Sequence, residues 1–280
     1  MLTPEQIEFY NDNGYVLVKG LLSREEAAFY RRETHELADR VYAAGQFDAT
    51  WGSAGAVSQQ KTALQHCHDV QFHSAAFSRL IVDPRITDVA SQVMGTPNVQ
   101  LHHTKMFIKP SEKGSPFPMH QDAPFFPHEK HSLIAAIIHF DDAPLEKGPV
   151  RVVPGSHKLG VLPHRSEGSH HLDPAEYPVE DALALPAEAG DVLFFSYLTI
   201  HGSGLNTSEE ARTTLLIQMR DPEDPSQGGH VSKGQGAMLR GIDPTCAGLQ
   251  KTVSNGQAMG AMGAMGAMGA MGAMGGAMMG

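Results

Sequence analysis

The chain has 280 residues, 41% hydrophobic and 19% charged, which suits one large or two small globular domains with a substantial core. Its 21 Lys and Arg against 31 Asp and Glu leave a net charge of −10, which argues against a nucleic-acid backbone as partner. No apolar run reaches bilayer length, the opening MLTPEQIEFYNDNGY lacks a signal-peptide pattern, and only Cys67 and Cys246 are present, so a cytoplasmic protein without a disulfide framework is expected.

Thr3-Pro4-Glu5-Gln6 sets a capping residue, a proline at the first helical position and a glutamine three residues after the cap. Ser23 and Glu26 repeat the capping pattern ahead of AAFYRRETHELADRVYAAG, a long amphipathic helix expected to stop near Gly45. Asp83-Pro84 opens a third helix, PRITDVASQVMG, with Gly95 as its stop. From about residue 99 the texture changes to short runs, among them VQLHHTKMFIKP, SLIAAIIHFDD, DVLFFSYLTIH and RTTLLIQMRD, separated by Gly, Pro and Asp. Such runs fit a sandwich or barrel, and periodicity alone does not choose among all-β folds. Three regions are therefore expected: a domain over 1–222, a Gly-rich extension over 223–256, and a disordered Ala-Met-Gly tail over 257–280.

The run FPMHQDAPFFPHEK, residues 117–130, puts His120 and Asp122 two positions apart, so an extended chain projects both from one face. Alone, such a pair is better explained as a hydrogen-bonded loop, although 16 histidines raise the weight of metal chemistry. A mononuclear non-haem iron(II) site takes two histidines and one carboxylate on one octahedral face and leaves the opposite positions open. His201, ending the run DVLFFSYLTIH, is the candidate third ligand from a separate strand. Arg212 opens the apolar run RTTLLIQM, where a cation needs a partner and its planar fork fits a carboxylate. Glu209 or Glu210 would serve as an ordinary surface partner. 2-Oxoglutarate, chelating iron at one end, would serve as a dicarboxylate partner at the other.

At these residues the chain resembles the phytanoyl-CoA dioxygenase-like family of iron(II)/2-oxoglutarate oxygenases. HQDAPFFP is similar to the family's His-x-Asp segment, EKGPVRVVPGSHKLG to its VVPGSH signature, and GDVLFFSYLTIHGSGLNTSEEAR to its distal block of His, Ser and Arg. The resemblance runs from roughly Thr3 to Asp221. It implies a mainly β fold with flanking helices, a double-stranded β-helix (jelly roll, cupin-like). It assigns iron to His120, Asp122 and His201, and the distal carboxylate of 2-oxoglutarate to Arg212 and Ser203. Lys105 and Gln121 are placed against the same cosubstrate. The implied activity is hydroxylation of a small organic molecule by dioxygen, with release of succinate and carbon dioxide and with ascorbate in support. The Asp122 carboxylate speaks against halogenation, which needs that ligand position open for chloride. Ile137 and Ile138 stand where many members carry a tryptophan, so the pocket wall is expected to differ. Two rivals are a non-catalytic jelly-roll binding protein and a cupin-like enzyme using another divalent metal.

Other histidines read more plainly. His66, Cys67 and His68 have no second cluster to complete a zinc site, and His66 is assigned to the pocket rim. His102 and His103 are neighbours on one strand, so only one is expected to point inward. His157 reads as a turn residue, and His128 and His131 as members of an exposed loop. His103, Phe125, Phe126 and Arg151 are candidate pocket residues. No P-loop, dinucleotide fingerprint, HExxH helix or GxSxG elbow is present.

Overall fold

The structure, a computed structural model, describes residues 1–43, 65–111, 116–165, 170–228 and 232–246. The expected helix stop near Gly45 and the 257–280 tail lie outside the described residues. Helix Pro4–Asn13 starts on a reciprocal capping box, with Thr3 Oγ1 accepting from Gln6 N at 3.3 Å and Gln6 Oε1 from Thr3 N at 2.9 Å. Helix Arg24–Ala43 starts on the same device, built by Ser23 and Glu26. Helix Pro84–Met94 is capped by Asp83 and closed by Gly95 in the left-handed region, and a short helix Ala75–Leu80 begins at Ser74.

Two antiparallel sheets form the body. The larger runs β1 (Tyr15–Val18), β8 (Val192–Ser196), β5 (Ile134–His139), β10 (Arg212–Arg220), β3 (Val99–Lys109) and β11 (Met238–Arg240), with β2 (Gln65–His68) also paired to β3. The smaller runs β4 (Phe117–His120), β9 (His201–Ser203), β6 (Val150–Val152) and β7 (Leu183–Ala184). This is the expected double-stranded β-helix with helices packed outside it.

Period-two alternation decides what each face of the larger sheet does. Ile134, Ala136 and Ile138 of β5 and Leu215, Ile217 and Met219 of β10 turn outward, where they pack with Phe77, Leu80, Ile86 and Val89 of the helices. Ala135, Leu193 and Phe195 turn inward against Val150 and Val152 of the smaller sheet. The interior face thus becomes the wall of a cavity, and polar residues on it have somewhere to point.

One irregularity in β3 matters for that wall. Gln218 pairs with His103 but the next residue, Met219, pairs with Leu101, so His102 is an extra residue in the ladder. The bulge shifts the phase of the strand. Val99 and Leu101 before it, and Met106 and Ile108 after it, all reach the helix-side core. His102 and His103 consequently lie on the same side, with Nδ1 atoms 2.8 Å apart and both rings against Phe126. Only His103 of the two lines the cavity, in keeping with the expectation, although the bulge keeps the His102 ring on the same side.

The compact unit holding both sheets runs to Ile242, with β11 paired at Val99 and Gln100 of β3. In the remaining unit the described residues form a short turn at Pro244–Cys246. Among the described residues no helix is long and apolar enough to cross a membrane.

Phe77 is fully buried in the helix-side core and its ring stacks on that of Tyr30. Phe77→Ala is expected to lower unfolding free energy by about 3–5 kcal/mol in urea titration. Ile242→Ala, at a side chain 71% exposed, should stay within about 0.5 kcal/mol of the parent.

Candidate active site

β4 and β9 lie side by side in the smaller sheet with His120 directly opposite His201. The close approach depends on Gly202, where an added Cβ would come within 2.7 Å of Phe117 O. Asp122, two residues beyond His120, is held by its backbone N–H on Tyr197 O at 3.0 Å. Its Oδ1 lies 3.7 Å from His120 Nε2 and 3.9 Å from His201 Nε2, and the three donor atoms lie within 4.8 Å of one another.

Hydrogen bonds set the chemistry of each donor. His120 Nδ1 donates to Pro118 O at 2.8 Å and His201 Nδ1 to Thr199 O at 3.0 Å, which leaves both Nε2 lone pairs on the shared space. Gln218 Nε2 donates to Asp122 Oδ2 at 2.6 Å, leaving Oδ1 for the same space. Burial holds His120 down to about 3 and His201 to about 4, so both imidazoles are neutral ligands at physiological pH. Burial raises the Asp122 carboxyl, since a lone anion there is poorly solvated. A divalent cation would supply the missing counter-charge, and this donor set fits one.

A cavity of about 140 Å³ opens over these residues. At its other end Arg212 is 4% exposed. Its Nη1 donates to Gly148 O at 2.6 Å, while its Nε is buried without a hydrogen-bond partner. Glu210 pairs with Lys147, so the surface ion pair considered for Arg212 through Glu210 is not formed. Lys109, opposite Arg212 across the β3–β10 ladder, donates to Ser203 Oγ at 3.0 Å and to Gly204 O. Burial, and then the neighbouring Arg212, push the Lys109 ammonium down to about 6. The Arg212 guanidinium, the Lys109 amine held down by burial and the Ser203 hydroxyl thus meet, and the carboxylate whose charge acts on Arg212, Asp141, does not line the cavity. That end of the cavity fits a carboxylate.

Residues 10–214 match the family model described as phytanoyl-CoA dioxygenase (PhyH). The chain belongs to the phytanoyl-CoA dioxygenase family. It is 30% identical to peroxisomal phytanoyl-CoA dioxygenase of Rattus norvegicus over 233 residues, covering 77% of this chain and 67% of that one. It is 28% identical to a probable alpha-ketoglutarate-dependent hypophosphite dioxygenase of Stutzerimonas stutzeri over 222 residues, covering 76% and 77%. The crystal structure of the epimerase SnoN with Fe3+, alpha-ketoglutarate and nogalamycin RO is similar at a TM-score of 0.65 and 27% identity, covering 85% of this chain and 96% of that one.

The other candidate residues fall unevenly around this cavity. Lys105, His103, Phe125, Phe126 and Ile137 line it, whereas Ile138 is fully buried on the helix side. Gln121 is a correction. Its side chain donates to Gly160 O and Leu198 O and accepts from Leu162 N, so it ties down the 160–164 loop and does not face the cavity. A residue between two inward ligands must point the other way. Arg151 is also corrected, since its guanidinium donates to Glu180 O and Ala182 O. His128, expected on an exposed loop, is 1% exposed and bonded to Phe126 O, while His131 is exposed as expected. His66 is buried on β2 beside Phe107, and His157 sits in a short 3-10 turn against Asn11 O. Lys109 was missed, although it shares strand parity with Lys105.

His139 of β5 lies opposite Thr214, two residues from Arg212 on β10. Neither of its ring nitrogens has a hydrogen-bond partner, and burial followed by the Arg212 charge holds it down to about 4 from 6.5. Because the unfolded imidazole protonates first, this group subtracts stability as pH falls from about 6.5 towards 4, by about 1.4 kcal/mol per unit. His139→Phe is therefore expected to shrink the loss of stability between pH 7 and pH 5 by about 2 kcal/mol, read from urea midpoints at both values. An unchanged loss would show that His139 is not held neutral.

Proposed function

We propose that this chain hydroxylates a small organic molecule, with His120, Asp122 and His201 holding iron(II) and with Arg212, Lys109 and Ser203 holding the distal carboxylate of 2-oxoglutarate. It is an iron(II)- and 2-oxoglutarate-dependent dioxygenase, in keeping with its family and its relatives. When bound, iron and 2-oxoglutarate couple oxidative decarboxylation of the cosubstrate, giving succinate and carbon dioxide, to oxidation of the substrate by dioxygen.

The protein's own residues do three things for that chemistry. The backbone carbonyls of Pro118 and Thr199 fix both imidazole tautomers, and Gln218 fixes the carboxylate, so the donors need no rearrangement to receive the ion. Arg212 and Lys109 give the cosubstrate one orientation by taking its far end. Phe195, against the His201 ring at 4.5 Å, and Phe125 and Phe126 at the other wall keep bulk water from the reacting space.

The observation that carries this reading is the buried guanidinium of Arg212, with an unbonded Nε, in the same cavity as the His-Asp-His group. A jelly-roll protein binding only a metal, or a hydrolytic enzyme using another divalent metal, has no use for a buried carboxylate receptor there. Small-molecule substrates also fit the relatives, which include an ectoine dioxygenase of Bordetella bronchiseptica and an L-proline trans-4-hydroxylase of Streptomyces griseoviridis. A cytoplasmic setting remains the reading that two unpaired cysteines support.

With iron(II) and ascorbate the protein is expected to release succinate from 2-oxoglutarate even without its substrate. Asp122→Ala should lose iron, read as metal content after desalting; full retention would refute the ligand set. Arg212→Leu should keep its iron but raise the Kd for 2-oxoglutarate by about 30-fold or more, the consequence of removing one partner of a buried charge pair. Equal affinity in parent and variant would remove Arg212 from the cosubstrate site.

A further inference from the structure

The inner face of the larger sheet is a grid whose rows are fixed by strand register. Lys109 stands opposite Arg212, Phe107 opposite Thr214, Lys105 opposite Leu216, and His103 opposite Gln218. Two cationic stations therefore occupy different rows, with their strand positions about 13 Å apart along β3. The first is Arg212 with Lys109. The second is Lys105, beside His68 across the β2–β3 ladder and close enough to the metal-ligand group for its charge to act on Asp122. Aromatic rings stand between the stations. Lys105 Nζ sits 5.1 Å over Phe107, Lys109 Nζ 5.8 Å from Phe117, and those two rings meet edge to face at 5.7 Å.

A single 2-oxoglutarate, anchored by one carboxylate at Arg212 and by its other end at the ion, uses the first station. Lys105 lies beyond Phe107, on the side that His68, His103 and Phe126 enclose. Asp122 is the sole acid among the described residues lining the cavity, and Lys105 is only 3% exposed. Iron(II) and the 2-oxoglutarate dianion would cancel, and among the residues lining the cavity that leaves Asp122 against Lys105 and Arg212. An anionic group on the second organic molecule brings the enclosed charge towards neutrality, which a low-dielectric cavity favours.

We propose that Lys105, flanked by His68 and His103, is the specificity-determining residue that receives an acidic group of the substrate, so that the substrate is a small organic acid with an apolar body lying against Phe125 and Phe126. This rests on the iron(II)/2-oxoglutarate reading of the same cavity, and it moves Lys105 from the cosubstrate to the substrate. The acid group would be held by Lys105 rather than by the His120, Asp122 and His201 donors, with the apolar body against Phe125 and Phe126.

The test uses the full chain loaded anaerobically with iron(II) and 2-oxoglutarate, titrated calorimetrically with phenylacetate and 3-phenylpropanoate and with the corresponding neutral amides. The parent is expected to prefer each carboxylate over its amide by about 10-fold or more, the scale of one hydrogen bond to a charged group. Lys105→Met should bring the preference below about twofold, Lys105→Arg should retain most of it, and 2-oxoglutarate Kd should change by less than about threefold in both. Should Lys105→Met fail to fold, the parent's acid-to-amide ratio and Lys105→Arg still decide. Equal binding of acid and amide by the parent, or no binding of the acids, overturns the proposal. A loss in Lys105→Met that falls on 2-oxoglutarate overturns it too, returning Lys105 to the cosubstrate. Absence of 2-oxoglutarate binding in the iron-loaded parent sinks the oxygenase reading itself, and is seen before any probe is added.

Discussion

The cross-strand pair of His120 on β4 and His201 on β9 is the contact on which the cavity depends. The two residues are 81 positions apart in the chain, and antiparallel pairing places their rings 4.2 Å apart. Register has little freedom there. A shift of one residue would turn His201 to the opposite face and bring Gly202 or Ile200 into its place. Gly202 permits the close approach, and the ladder irregularity between Phe117 and His120 lets four residues of β4 span three of β9. With the pair set, Asp122 follows from alternation and from its own tie to Tyr197 O.

Such a polar interior is sustained by the division of labour in the larger sheet. Its outer face is closed by helices that carry most of the apolar core, which frees the inner face from supplying cohesion. Arg212, Thr214 and Gln218 alternate on β10 with Thr213, Leu215, Ile217 and Met219, so one strand serves the cavity and the body together. The bulge at His102 keeps this arrangement in phase on β3, passing from Leu101 in the core to His103 in the cavity without a run of buried polar residues on the wrong side.

Much of this was legible in the sequence because its signals are local. The capping boxes at Thr3 and Ser23 formed as their spacing dictates, and the i, i+2 relation of His120 and Asp122 needed only an extended chain. The same rule, applied one residue further, excludes Gln121 from the cavity and puts Lys109 on the same strand face as Lys105, where it reaches Ser203. Those two misses came from reading motifs without parity. The His102 bulge and the burial of His128 were illegible for a different reason, since both depend on local packing: on β10 in one case, and on the His102 ring and the Phe126 carbonyl in the other. Arg151 escaped because an arginine on a short strand can reach either a cavity or nearby backbone carbonyls, and only the fold decides.

The cavity is organised by charge more than by shape. Before loading it holds a carboxylate raised by burial, two imidazoles kept neutral, and an ammonium at position 109 pushed down to about 6. Each group carries a desolvation cost, offset for Asp122 in part by the Gln218 amide and the Lys105 charge, and a cation would relieve the carboxylate further while a dicarboxylate would relieve the ammonium and guanidinium. Ligands that relieve such costs stabilise the folded state by mass action, so ion and cosubstrate bind into a site already strained towards them. A divalent cation beside Asp122 would make the interior more positive, so a dianion would be attracted more strongly with that cation in place.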